Sequence, residues 1–117
     1  MMIATYGKLT SEPGKIDELI DIMKQAAKLV ANEKGCHMYI VNASRDEEDV
    51  LWITELWDTQ EGHDASLKSD EVKAIIAQAL PLISKPPEQI SLTPLVGKGM
   101  PGDAVTAPVP VPIAETK

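Results

Sequence analysis

The chain has no phenylalanine, a single cysteine, and only 3% aromatic residues. Each scarcity excludes something. One cysteine, Cys36, cannot form an internal disulfide, which points to a reduced, cytoplasmic setting. So few aromatics cannot build a base-stacking platform for single-stranded nucleic acid. Positive charge is also short: 11 Lys and Arg face 18 Asp and Glu, giving a net charge of -7 and a pI near 4.7. Nucleic acid and anionic membrane surfaces select the opposite balance. No apolar run approaches the length of a membrane span. The opening MMIATYGKL lacks the basic region and small-residue cleavage site of a secretory signal. With 117 residues and 44% hydrophobic content, one globular domain is expected.

What is present is a regular alternation of strand and helix patterns. Residues 2–9 carry Ile, Thr and Tyr and read as a first strand. Ile16, Leu19, Ile20, Met23, Ala27 and Val30 form a one-face stripe, which predicts a helix over residues 13–33. Pro13 suits its first turn and Gly35 its stop. Residues 36–43 predict a second strand, with Cys36, Met38, Ile40 and Asn42 on one face and His37, Tyr39, Val41 and Ala43 on the other. The polar SRDEED segment, residues 44–49, predicts a hairpin turn into a third strand over 50–57. That strand places Leu51, Ile53, Glu55 and Trp57 on one face and Val50, Trp52, Thr54 and Leu56 on the other.

Both faces of the third strand are mostly apolar, so both are expected to be covered. Helices can cover one. The chain is too short to supply a second sheet, so a homodimer with sheet packed on sheet is expected. Asp58 or Thr59 can cap a helix over 59–68, with Glu61 in its first turn. Ser69, Asp70 and Glu71 start a third helix running to about residue 80, with Val72, Ile75, Ile76 and Ala79 inward. Pro81 and the Pro86–Pro87 pair stop helical structure. Residues 88–99 predict a last strand, bent or at an edge because of Pro94. Residues 1–99 thus form the domain, and 100–117 a Pro-rich arm. Its alternating Val and Pro suit an extended segment lying in a groove or exchanged with a partner subunit.

The order β-α-β-β-α-β is that of an α+β, ferredoxin-like domain with an antiparallel sheet. At Glu55-Leu-Trp57, and through His63-Asp-Ala-Ser-Leu67-Lys-Ser69, the chain resembles the antibiotic-biosynthesis monooxygenase (ABM) family. Gly35-x-x-x-Tyr39 and the acidic hairpin turn support the match, which spans residues 2–98. The resemblance implies a dimeric α+β barrel, with a pocket in each subunit between sheet and helices. It implies a monooxygenase that oxidises a quinol-like or polyketide-like aromatic with O₂, without metal, flavin or other cofactor. The alternative it allows is a non-catalytic dimer, binding a small apolar or aromatic molecule or associated with stress. Haem-degrading members carry an Asn, a Trp and a His at positions that here are Gly7, Ser66 and Ile76, so haem degradation is not expected. Quinol-oxidising members often carry a His where this chain has Ser66; here the His lies one turn earlier, at His63.

Such chemistry needs a base to take a proton from an electron-rich hydroxyl compound, in a pocket that excludes water. His63 is a candidate base, or else a half-buried histidine bonded to Asp64, Glu55 or the backbone. Glu55 is a second candidate, orienting His63 or acting as base itself; otherwise it is a structural acid paired with Lys or a backbone donor. Trp52 and Trp57 could line a planar pocket, but their opposite parity sends one to the helices and the other to the dimer face. Tyr39 could bond a substrate oxygen or sit at the interface, as could Tyr6. Asn42 is either a polar pocket group or a turn residue. Adjacent Cys36 and His37 would point to opposite faces of a strand and cannot share a metal, and no metal site is expected. Nor is there a Gly-rich phosphate loop, a G-x-S-x-G elbow or a dinucleotide fingerprint.

Overall fold

A computed structural model describes residues 1–101. They form a four-stranded antiparallel sheet, in the order β2-β3-β1-β4, with helices on one face. β1 (Ile3–Thr10) and β3 (Val50–Trp57) pair along their full length at the centre. β2 (Cys36–Ala43) and β4 (Glu88–Leu92) are the edges. This is the ferredoxin-like arrangement expected from the element order.

The helix α1 (Ile16–Val30) coincides with its apolar stripe and is shorter at both ends than the expected 13–33. Pro13 and Gly14 make the turn before it rather than its first turn, with Gly14 at φ 78, a left-handed value that suits glycine. Leu19, Met23, Ala26 and Val30 are its buried face. Asp17 and Glu18 near its start and Lys28 near its end complement the helix dipole. The chain then turns through residues 31–35 into β2. The hairpin between β2 and β3 is closed by Ser44, whose hydroxyl accepts from the amides of Asp46 and Glu47 at 3.3 and 3.2 Å.

Two short helices follow. α2 (Gln60–Ser66) starts at Thr59, whose Oγ1 accepts from the Gly62 amide at 2.9 Å. α3 (Asp70–Ala79) starts at Ser69, whose Oγ accepts from the Val72 amide at 3.1 Å. A 3-10 turn at Leu80–Leu82, containing Pro81, ends the helical segment. The last strand stops at Leu92, short of the expected residue 99, with Pro94 just beyond. The Pro-rich arm lies outside the described residues apart from Met100 and Pro101.

Strand two shows one departure in its faces. The register between β2 and β3 shifts between Cys36 and Met38, so His37 is an extra residue. Cys36 therefore pairs with Trp57 and packs with Tyr39 on the helix side, not with Met38 and Ile40 as strict alternation predicts.

The core is the helix side of the sheet. Leu51 and Ile53 meet Leu19, Met23 and Ala26 of α1 and Ile75 and Ala79 of α3. Trp57, Ile3 and Val30 form a second cluster beside it. The opposite face is apolar but open: Tyr6, Met38, Ile40, Ile90 and Leu92 are all exposed there. Trp52 shares that face, as its parity predicts.

Leu19 is fully buried at the meeting of both helices and the sheet. Leu19→Ala is expected to destabilise the fold by ~2–5 kcal/mol, the cost of lost burial plus a residual cavity. A urea-unfolding midpoint unchanged in the variant would contradict this packing.

Candidate active site

Between the sheet and the helices lies a cavity of about 430 Å³. Its walls are apolar: Met23, Ala26 and Val30 from α1, Ile53 from β3, and Val72, Ile75, Ile76 and Ala79 from α3. At Gly7 of β1 a Cβ would meet nothing nearer than the Glu88 carbonyl oxygen at 3.9 Å, so the missing side chain leaves room rather than avoiding a clash. Five polar residues border this space: Glu55 of β3, Tyr39 of β2 and Ser66 of α2 at its inner end, and the exposed Glu88 and Gln89 of the edge strand β4.

The position of Glu55 follows from strand parity. It is paired with Tyr39 on one side and Thr5 on the other, and all three face the helices. Its side chain is 13% exposed, so the carboxylate needs donors. Trp57, two residues on and therefore on the same face, supplies one: Nε1 donates to Glu55 Oε1 at 2.9 Å. His63 supplies the other neighbour, with Nε2 at 3.8 Å from the same oxygen. Oε2 has no donor among the described residues.

His63 is buried behind Glu55. Its ring meets the Trp57 indole edge to face, with centroids 5.7 Å apart at 86°. Its Nδ1 lies 3.0 Å from Asp64 Oδ1, which also accepts from Gln60 Nε2 at 2.8 Å. These bonds, the His63 one foremost, hold the Asp64 carboxyl below its usual range. A chain of three groups thus runs inward from the surface: Asp64, His63, Glu55. Only Glu55 of the three borders the cavity.

Ser66 follows His63 by one helical turn. Its Oγ donates to the His63 carbonyl oxygen at 2.6 Å, which commits its proton and leaves its lone pairs. The Tyr39 hydroxyl has no partner among the described residues. Burial, and then the Glu55 charge, push its pKa far above the ordinary 10.0, so it remains a neutral phenol and a donor. The Thr5 hydroxyl, opposite Glu55, is buried with no hydrogen-bond partner among the described residues.

The structure therefore gathers Glu55, His63, Trp57 and Tyr39 and leaves two candidates elsewhere. Trp52 lies on the far side of the sheet, with Lys8 Nζ 5.8 Å from its ring centroid. Asn42 shares that side and donates to the Trp52 carbonyl oxygen at 2.9 Å. Residue patterns alone do not single out Ser66; its one signal is the resemblance noted above, in which quinol-oxidising members often carry a histidine at this position. The partner of Glu55 is an indole rather than a lysine, and the i,i+2 spacing on a strand is the signal for that pair. Among the described residues no group of three or more His, Cys, Asp or Glu side chains is placed to hold a metal ion.

The half-buried phenol, its pKa raised by desolvation and then by the Glu55 charge, implies a pH dependence. A Tyr39 pKa raised by folding means the unfolded chain ionises first. The stability involved is complete below pH 10.0 and is lost as pH rises through the folded value. Thermal midpoints are expected to fall above pH 10.0, and to fall less in Tyr39→Phe. Equal alkaline losses in both proteins would contradict this burial.

Comparison with known proteins gives the family and the fold. The family model for antibiotic biosynthesis monooxygenases matches residues 2–78. A solved structure from Chloroflexus aurantiacus J-10-fl, provisionally assigned as an antibiotic biosynthesis monooxygenase, is 36% identical; the match covers 83% of this chain and 96% of that one, with a TM-score of 0.74. A Caulobacter crescentus CB15 structure with the same provisional assignment is 30% identical, covering 78% of this chain and 87% of that one, with a TM-score of 0.72. Rv0793 from Mycobacterium tuberculosis shares the fold at 20% identity, covering 84% of this chain and 99% of that one, with a TM-score of 0.76. No curated protein matches. The chain belongs to the antibiotic biosynthesis monooxygenase family.

Proposed function

We propose that the cavity is the active site of a cofactor-independent monooxygenase acting on an electron-rich hydroxyaromatic, quinol-like or polyketide-like. The observation that carries this reading is a carboxylate, Glu55, at the inner polar end of a largely apolar cavity, beside a neutral phenol and with an imidazole behind it. Glu55 takes the hydroxyl proton of the substrate. The Tyr39 hydroxyl then donates to the phenolate oxygen, and apolar walls exclude water from the anion.

The anion passes one electron to O₂. Recombination of superoxide with the aryl radical forms a C–O bond and a ring hydroperoxide. The O–O bond breaks as the carbon-bound hydrogen leaves, giving a carbonyl and one water. One oxygen atom stays in the product, the other leaves with the two hydrogens of the substrate, and no external reductant is needed.

In this scheme His63 is a positioning and proton-holding group rather than the first base. In the tautomer that donates Nδ1–H to Asp64, the Nε2 lone pair is on the Glu55 side, 3.8 Å from Oε1, and would receive the proton the carboxylate collects once the two groups close to hydrogen-bond distance. Trp57 holds the carboxylate in place. Trp52 and Asn42 belong to the opposite face of the sheet and have no part in the reaction.

The same proposal assigns that opposite face to a second copy of the chain. Five exposed apolar side chains on one sheet face make a surface that sheet-to-sheet packing would bury. A binding role without turnover is the alternative. It is favoured by the cavity's volume and apolar walls, which suit a ligand whether or not it reacts.

O₂ uptake with a panel of quinols, anthrones and catechols, corrected for auto-oxidation, decides between the two. The oxygenase reading expects protein-dependent uptake that falls roughly 100-fold or more in Glu55→Gln and about tenfold in His63→Ala. Gly7→Leu, which fills the cavity from the strand, is expected to abolish it. Binding without uptake across the panel would establish the alternative. For the dimer, light scattering should give twice the 12.7 kDa chain mass, and Ile40→Lys should shift it to one chain mass; a monomeric wild type would remove the sheet-to-sheet assembly.

A further inference from the structure

The polar end of the cavity is unbalanced in both charge and hydrogen-bonding sense. Among the described residues no Lys or Arg lines it. The charged side chain at its polar end is Glu55, a carboxylate that only accepts and whose Oε2 has no donor among the described residues. Glu88, the other acid at the wall, lies on the edge strand and is exposed. Ser66, which also lines the cavity, has given its proton to the His63 carbonyl oxygen, so to a ligand in reach its hydroxyl could only accept. Against these stands one inner donor, the Tyr39 hydroxyl, with a single proton; the Gln89 amide, on the exposed edge strand, is open to water. The chain's net charge of -7 adds a long-range field of the same sign.

We infer that Glu55 and Ser66 make the cavity select a neutral ligand that donates hydrogen bonds, a hydroxylated aromatic, over its acid-bearing and carbonyl-only counterparts. An ionised acid group would leave water to face a carboxylate with no cation to meet it. A quinone or an ether offers only acceptors to a site that is itself acceptor-rich, so Glu55 Oε2 and the Ser66 lone pairs stay unpaired in the complex. A site built to pair with a hydroxyl rejects the analogue lacking it far more strongly than shape alone allows. Oxidation converts hydroxyl donors into carbonyl acceptors. The same two residues that hold the reduced form therefore expel the oxidised one. The inference rests on the cavity being the ligand site but does not require that the ligand react.

The test uses redox-stable probes of one shape: a naphthol, the corresponding methoxynaphthalene and the corresponding naphthoate, titrated by calorimetry near neutral pH. The naphthol is expected to bind at least about tenfold more tightly than the ether. The naphthoate should show no heat of binding. Glu55→Gln, which swaps a pure acceptor for an amide with donors, should narrow the gap between naphthol and ether and admit the naphthoate. Gly7→Leu should abolish naphthol binding. Equal affinity for naphthol and ether, preference for the naphthoate, no binding of any probe, or naphthol binding that survives Gly7→Leu would each overturn the inference. The wild-type comparison stands whether or not a variant folds. Naphthol selectivity without O₂ uptake on the quinol panel would keep this inference and remove the oxygenase reading; uptake without selectivity would do the reverse.

Discussion

A carboxylate set into the apolar face of a central strand is the constraint around which the surrounding side chains are arranged. An isolated buried charge is costly, and the protein meets part of that cost locally, with the N–H of the Trp57 indole one pleat away, while His63 packs beside the same oxygen. The indole can donate because it occupies the same face at i,i+2. The histidine can approach because α2 begins immediately after the strand, capped by Thr59, and lays its first turn over Trp57. Capping, parity and ring packing thus converge on one oxygen atom, Oε1, of a carboxylate that borders the cavity.

The cavity itself is a consequence of small residues placed where the sheet would otherwise fill its own core. Gly7 is the clearest case, since a Cβ there would meet only the Glu88 carbonyl oxygen, at ordinary van der Waals distance. Ala26 and Ala79 do the same from the helices. The larger residues around them, Met23, Ile53 and Ile75, keep the space apolar without closing it. The Leu19–Leu51 core beside it carries the fold, so space can remain without forfeiting the sheet's attachment to its helices.

Much of this was legible in the residues. Alternation along the third strand separated Glu55 and Trp57 from Trp52 and Thr54, and the structure keeps that division. The helix stripe and the hairpin turn were equally plain. Three features were not. The bulge at His37 moves Cys36 to the helix face, because a single unpaired residue resets parity and nothing in the composition marks it. The order Asp64, His63, Glu55 depends on the entry angle of a seven-residue helix, so the sequence named the groups without saying which of them borders the cavity. Ser66 was obscured for a different reason: a serine in a short helix reads as solvent-facing, and only packing against the sheet buries it.

The two tryptophans divide the molecule optically. Trp57 is almost fully buried, with its N–H on the Glu55 carboxylate and its edge on the His63 ring, so its emission is tied to the charge state of that pair. Trp52 stands on the other side of the same strand, half-buried among the side chains of the open sheet face, where a change in cover alters its solvent contact. Replacing either one by phenylalanine isolates the other as an intrinsic fluorophore. One strand therefore carries separate built-in reporters for events in the cavity and for events on the sheet's opposite surface, without any added label.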